Sequence, residues 1–289
     1  VKICCLDTSA LNDLLEPNTV LVRHRLIDEV NARRIVVLGT APLLLEMSGT
    51  YDVDAARHVA MIDLFHRISR GSNLLLDPVV RRERELRAGR ALVYPAFVES
   101  NYEPSFEANA VQRAAAFATG CIRGMRFLEA EKASEAVRTL DDRERQLASA
   151  RGELSDPSDP AWRRTLKVAR GDERFMAQLV EDFARAAIDA CAHRLRIENA
   201  AGLNPRDLPT FWQSASIHVA RIHAVIVGRT SPTGRKSAGQ VDLLHLDEAA
   251  SYADVFVTSD RRLRAFAKTV RELRCEVLSF TEWAGGITC

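Results

Sequence analysis

The chain has six cysteines among its 289 residues but no CxxC pair. Zinc sites need closely spaced thiols or imidazoles, so the spacing argues against a structural zinc. Free thiols are expected, with Cys4 and Cys5 buried inside an apolar run and Cys121, Cys191, Cys275 and Cys289 far apart. No apolar run approaches the roughly 18–20 residues that cross a bilayer, so no membrane partner is expected. The opening VKICCLDTSA lacks the charged-then-apolar order of a signal peptide, which makes a cytoplasmic location the expectation. Neither phosphate-binding pattern, GxxxxGK[ST] nor GxGxxG, occurs. Charge of one sign is also missing, since the formal net charge is +1. A balanced total neither requires nor excludes a nucleic-acid partner, because it can hide a local patch. Lysine is scarce: Lys2, Lys132, Lys167, Lys236 and Lys268 stand against an arginine majority, whose rigid fork suits phosphate.

What is present is enough for a core. Hydrophobic residues make up 47% of the chain, and its length suits one large domain or two modest ones. The first hundred residues alternate strand and helix signals. Ile3–Leu6 and Ile35–Leu38 are short buried-strand runs, and Leu74–Leu76 is a third candidate. Between them, a helix is expected from Ser9 or Ala10, another over Val20–Val30 and another over Asp54–Ile68, with Thr40 capping a helix that has Pro42 in its first turn. The same alternation returns at the end. Asp242–Tyr252 reads as helix, Val255–Thr258 as strand, Arg261–Leu273 as helix and Glu276–Leu278 as a last strand. Such alternation implies a parallel sheet covered on both faces.

The middle differs. From about Ser105 to Val227 the chain is rich in Ala, Arg, Glu and Leu, and Phe175, Met176, Leu179, Val180, Phe183, Ile188, Cys191 and Leu195 recur at helical spacing. SDPSDP (155–160) and GLNPRDLP (202–209) break it. The expected organisation is a discontinuous α/β domain over 1–100 and 236–289, interrupted by an all-helical insertion of about four helices over 101–235.

Four acids carry the chemical reading. Asp7 directly follows the first strand, and Asp260 lies two residues past the Val255 strand. Glu46 falls in the helix after Leu38, and Asp242 opens the helix before Val255. In a parallel sheet both strands end on one edge, where ligands bind. Clustered carboxylates repel by about 4 kcal/mol at 4 Å and an effective dielectric of 20, so they hold protons or bind a cation. Oxygen-only ligands suit Mg²⁺ or Mn²⁺. Each acid has an ordinary explanation too. Asp7 and Asp260 each precede a helix as a cap, Asp242 sits in a first turn, and Glu46 could be a solvated helix residue.

The segments CCLDTSALNDLL, RIVVLGTAPLLLEMSG and VDLLHLDEAASYADVFVTSDRRLRAF together resemble the PIN-domain nucleases. The resemblance covers roughly residues 1–90 and 238–285 and leaves out the helical middle, which is long for that family. It implies a flavodoxin-like or Rossmann-like three-layer α/β/α fold with a central parallel sheet. It implies Asp7, Glu46, Asp242 and Asp260 as ligands for one or two Mg²⁺ (or Mn²⁺) ions, with Ser9 and Thr258 as supporting hydroxyls. The implied activity is endoribonuclease hydrolysis of single-stranded RNA, leaving a 5′-phosphate and a 3′-hydroxyl. Many bacterial members are toxins of toxin–antitoxin pairs, which would bring a small protein inhibitor (antitoxin), and many form homodimers.

Other residues are weighed beside these. His245 lies three residues past Asp242 on the same helical face, where it would contact substrate, order Asp242 or simply pack. Arg235 and Lys236, in the loop GRTSPTGRKSAG (228–239), and Arg261 and Arg262 are candidates for phosphate contact. Asp254 belongs at the opposite end of its strand and is expected to be structural. The mixed-sign run RRERELRAGR (81–90) reads as a solvated helix with internal ion pairs. Competing functions are a catalytically silent PIN-like binding or scaffold subunit and a structure-specific DNA nuclease. A phosphotransferase using Asp7 as nucleophile is weaker, because DTS lacks the second acid of a DxD loop.

Overall fold

The computed structural model describes residues 1–40, 42–43, 46–47, 53–70, 75, 78–92, 173–226 and 240–288. Much of the expected insertion, including SDPSDP and Arg235, lies outside the described residues, as does Lys236 just after it. The elements are β1 (Lys2–Leu6), α1 (Thr8–Leu15), α2 (Val20–Asn31), β2 (Ile35–Leu38), α3 (Ala55–Ile68), α4 (Pro78–Ala88), α5 (Glu173–Leu195), α6 (Pro209–Ile226), α7 (Gln240–Tyr252), β3 (Val255–Val257), α8 (Arg261–Ala267), β4 (Glu276–Leu278) and α9 (Phe280–Thr288).

The four strands form one parallel sheet in the order β2-β1-β3-β4. The chain therefore steps from β1 out to β2 and later returns to pair β3 on the other side of β1. Leu6 stands opposite Val257, and the N–H of Asp7 donates to the Val257 carbonyl at 3.0 Å. Of the third expected strand, Leu75 is described: its N–H donates to the Gly39 carbonyl at 2.8 Å, a single bridge. At the other end of β3, Asp254 Oδ2 accepts from the Ile3 N–H at 2.8 Å, which ties the starts of the two strands together.

Period-2 alternation splits the strand side chains between two apolar layers. Cys4, Leu6, Ile35, Val37, Val255 and Val257 face α1, α2, α3 and α9. Cys5, Val36, Leu38 and Phe256 face α6, α7 and α8. Both faces of the sheet are thus covered by helices, as a parallel sheet requires. Cys4, Cys5, Cys191 and Cys275 are buried free thiols. Among the described residues no helix is long and apolar enough to cross a membrane.

The middle segment contributes α5 and α6, separated by short 3-10 turns at Ala200–Gly202 and Pro205–Asp207 where GLNPRDLP was expected to break the helix. α6 lays Ile217 and Ala220 into the second sheet layer and packs Trp212, Ala215 and Val219 against α5. Phe175 and Phe183 of α5, although in helical register with the rest, lie on its exposed side.

Two readings need correction. The helix expected to run to Leu273 ends at Ala267. There Thr269 bonds the Phe266 carbonyl through both N–H and Oγ1 at 2.7 Å, tightening the turn. Gln213 of α6 then holds the following turn, donating to the Glu272 carbonyl at 3.1 Å and accepting from Arg274 N–H at 3.0 Å. The run 81–90 is not simply a solvated helix. Arg87 does pair with Glu83 at the surface, but Arg81 and Glu85 are 1% and 0% exposed. Glu85 accepts from the Thr210 N–H at 3.1 Å, from Thr210 Oγ1 at 2.6 Å and from the Tyr252 hydroxyl, while Arg81 reaches the Glu248 carbonyl at 3.4 Å and its carboxylate at 3.8 Å. These contacts lock α4 to α6 and α7.

Glu85→Ala leaves those buried donors without an acceptor and is expected to cost about 3 kcal/mol or more, read from urea unfolding. Burial raises the Glu85 carboxyl above its usual value, against the lowering by its hydrogen bonds and Arg81. The folded state then holds a proton longer than the unfolded one, so this group's contribution to stability falls as pH rises through and above about 4.5. Glu85→Gln should remove that slope.

Candidate active site

The strand order, which runs outward one way from β1 to β2 and the other way from β3 to β4, reverses between β1 and β3. In open α/β sheets the crevice at such a point, outside the carboxyl ends of the strands, is where ligands bind. Asp7 follows β1 there and Asp260 lies just past β3.

Asp7 is buried and caps α1. Its Oδ1 accepts from Ser9 Oγ at 2.7 Å and from Ala10 N–H at 2.8 Å, and the Thr258 side chain also bonds it. Asp260 is half-buried and caps α8, with Oδ1 accepting from the N–H groups of Arg262 at 2.6 Å and Leu263 at 3.3 Å. Two hydroxyls tie the two acids together. Ser9 Oγ accepts from the Ser259 N–H at 2.9 Å, and Thr258 Oγ1 accepts from the Asp260 N–H at 3.0 Å. Ser259 in turn donates its hydroxyl to Asp13.

Glu46 arrives from the helical segment after β2. Its Oε2 accepts the hydroxyl of Thr8, the neighbour of Asp7, and lies 3.3 Å from His245 Nε2. That Nε2 is buried and off the line of a good hydrogen bond, so the contact is best described as charge pairing. His245 Nδ1 is 3.3 Å from Thr40 Oγ1. Asp242 is half-buried in the first turn of α7, one turn ahead of His245. Arg261 and Arg262 are exposed on the first turn of α8.

The sheet thus joins Asp7 to Asp260 through Ser9 and Thr258, and joins Glu46 to the Asp7 end of β1 through Thr8. Among the described residues, however, no group of three His, Cys, Asp or Glu side chains is placed to hold a metal ion. Thr8 was not singled out from the sequence, though it lies inside the DTS motif, and Thr40 was read only as a helix cap. It is that too, since its Oγ1 accepts from Leu43 N–H at 3.3 Å.

The charges are unequal. Burial pushes the Asp7 carboxyl up, more than the hydrogen bonds from Thr258, Ser9 and Ala10 and the nearby His245 bring it down. Burial acts on Glu46 in the same direction, but its pairing with His245 and the Thr8 hydroxyl bring its carboxyl below the usual range. His245 is the mirror case: burial disfavours its cation, yet Glu46, then Asp7 and Glu248, together raise it above 6.5. Burial thus outweighs compensation at Asp7, as it does at Glu85. Asp7, Glu46, Asp242 and Asp260 offer only oxygen donors, the donor type of a hard divalent cation, but no three of them are grouped to hold one.

His245 also links stability to pH. Its folded-state value lies above the unfolded one, so its pairing with Glu46 stabilises fully below pH 6.5 and is lost as pH rises through the raised value. Melting temperature should fall across that range, and Glu46→Gln should flatten the fall.

Compared with family models, with curated proteins and with solved structures, the chain finds no match in any of the three.

Proposed function

We propose that this chain is a metal-dependent nuclease that hydrolyses phosphodiester bonds of single-stranded RNA at the edge between β1 and β3. The observation that carries this is Asp7: a buried carboxyl group at the point where the strand order reverses in a parallel sheet, tied by two hydroxyls to the segment of a second acid. The resemblance of three separated segments to PIN-domain nucleases supports it as well.

On this reading Asp7, Glu46, Asp242 and Asp260 hold one or two Mg²⁺ or Mn²⁺ ions. When bound, such an ion polarises the phosphodiester and makes hydroxide accessible near neutral pH. The chain's own residues do the rest. Ser9 and Thr258 fix the Asp7 carboxylate and the backbone that carries Asp260. Thr8 holds Glu46 beside them. Arg261 and Arg262, exposed at the same edge, meet the substrate's phosphates, and Arg235 and Lys236 are offered for the same task. A small inhibitory partner and a homodimer belong to this proposal through the resemblance alone.

A second reading is a catalytically silent PIN-like binding or scaffold subunit. It is favoured by one observation, the pairing of Glu46 with His245 while no three acids stand grouped among the described residues.

Incubation with mixed RNA and with single-stranded DNA, in Mn²⁺ or EDTA, separates these. The expected result is RNA cleavage in Mn²⁺, abolished by EDTA and reduced about 100-fold or more in Asp7→Asn, the scale of losing one electrostatic stabiliser. Cleavage confined to DNA would move the proposal to a DNA nuclease. Absence of metal-dependent cleavage on either substrate would favour the scaffold.

A further inference from the structure

A cavity of about 520 Å³ opens between α5, α6 and the turn that follows α8. That size suits a small organic molecule. Its apolar walls come from three elements: Ala177 and Val180 of α5, Trp212 of α6 and Val270 of the turn. Trp212 is 5% exposed and packs among Val180, Ala184, Ala215 and Val219, with the Arg206 guanidinium 4.3 Å from its ring centroid.

Most polar groups around the cavity already have partners. Arg271 is committed to Glu173, meeting its carbonyl at 3.1 Å and its carboxylate at 3.2 Å. Glu272 is taken by Arg206, which forks onto it at 2.5 and 3.2 Å. The Ser216 hydroxyl donates to the Trp212 carbonyl at 2.9 Å, and the Thr269 hydroxyl to the Phe266 carbonyl at 2.7 Å. Two donors are left over. Lys268 is exposed at the cavity and forms no ion pair among the described residues. Glu282, a carboxylate that feels its charge, is held by Arg264 at 3.8 Å and by Ser279. The indole N–H of Trp212 likewise has no hydrogen-bond partner among the described residues, although a buried tryptophan usually finds one.

We propose that this cavity binds a small organic monocarboxylate. Its apolar body lies against Val180, Trp212 and Val270, and its carboxylate meets the Lys268 ammonium and the Trp212 N–H. The charges select this ligand. Both acids of the lining are paired to arginines, so one cation remains, which matches the single negative charge of a carboxylate. A phosphate monoester carries about −1.5 to −2 at neutral pH and calls for more. A cationic ligand would meet Lys268 with like charge. The seven residues of α8, about 10 Å of helix, separate the cavity from Asp260, so the site does not depend on the nuclease reading.

The test is calorimetric titration of the full chain with benzoate, 4-phenylbutyrate and octanoate, each beside its neutral amide. At least one acid should bind, about tenfold or more tighter than its amide, because only the acid makes charge-assisted bonds. Lys268→Gln, at an exposed position, should weaken that acid about 10–100-fold and leave the amide unchanged. Trp212→Phe keeps an aromatic ring, removes the N–H and should weaken the acid about tenfold; should it not fold, Lys268→Gln alone decides. Adenosine monophosphate and an acetylated peptide with a free C-terminal phenylalanine present the other sources of an anion. Failure of all three acids to bind, equal affinity of acid and amide, or an acid affinity unchanged in Lys268→Gln overturns the proposal. Tighter binding of the nucleotide or of the peptide than of every acid overturns it too, in favour of a nucleotide site or a dock for a protein C-terminus.

Discussion

The pairing of β1 with β3 is the constraint on which the rest depends. Leu6 stands opposite Val257, a sequence separation that no local propensity can bridge, and the pairing continues past the strand end in the bond from Asp7 N–H to the Val257 carbonyl. Because side chains alternate along a strand, this register also decides faces. It puts Leu6 and Val257 in one apolar layer, Cys5 and Phe256 in the other, and Asp7 level with Thr258 at the edge. A slip by one residue would turn Asp7 toward the wrong layer and separate it from Thr258. The Asp254 bond to Ile3 N–H, at the far end of the same pair, pins the register from its other side.

Much of this order is legible in the sequence. The β-branched runs Ile35–Leu38 and Val255–Val257 and the cap chemistry of Asp7, Asp54 and Asp260 are local signals, and the elements follow from them. The neighbours of each strand are not local. The sequence alone supports a parallel sheet, whereas the order β2-β1-β3-β4 depends on the return of the chain to β1 after the long middle segment. The misreading of residues 81–90 has the same origin. Arg and Glu alternate there as on any solvated helix, and nothing nearby announces that Glu85 meets Thr210, 125 residues away, and Tyr252, 167 residues away. The turn that follows the early end of α8 is likewise held by Gln213, far back in α6. His245 was visible as a face-mate of Asp242, but its partners Thr40 and Glu46 lie about two hundred residues upstream.

Around Glu85 the carboxylate is surrounded by donors from Thr210 and Tyr252 with Arg81 nearby, although burial still holds its carboxyl above the usual range. Such a network specifies how α4 sits on α6 and α7 and needs no ligand to explain it. Glu46 is compensated by His245. Asp7 shares with Glu85 a balance in which burial outweighs its hydrogen bonds, and differs in its place, at the strand ends rather than between helices.

Helix capping alone does not account for this. Asp54 is the control within the same molecule: it caps α3 with the same bond, Oδ1 accepting from the N–H three residues on at 2.9 Å, and it does so exposed to solvent. A cap therefore needs no burial. Asp7 makes the equivalent bond to Ala10 and adds a hydroxyl from Ser9, yet it is buried at the crevice edge of the sheet, where desolvation works against its charge. The cap at Asp260 occupies one carboxylate oxygen, Oδ1, and stands a hydroxyl's length from the Asp7 cluster through Thr258. What distinguishes these two acids from Asp54 is not the local sequence but their place at the reversal point of the sheet. The crevice outside the carboxyl ends of parallel strands is where ligands bind, so that placement, rather than the presence of four acids, is what the proposed chemistry rests on.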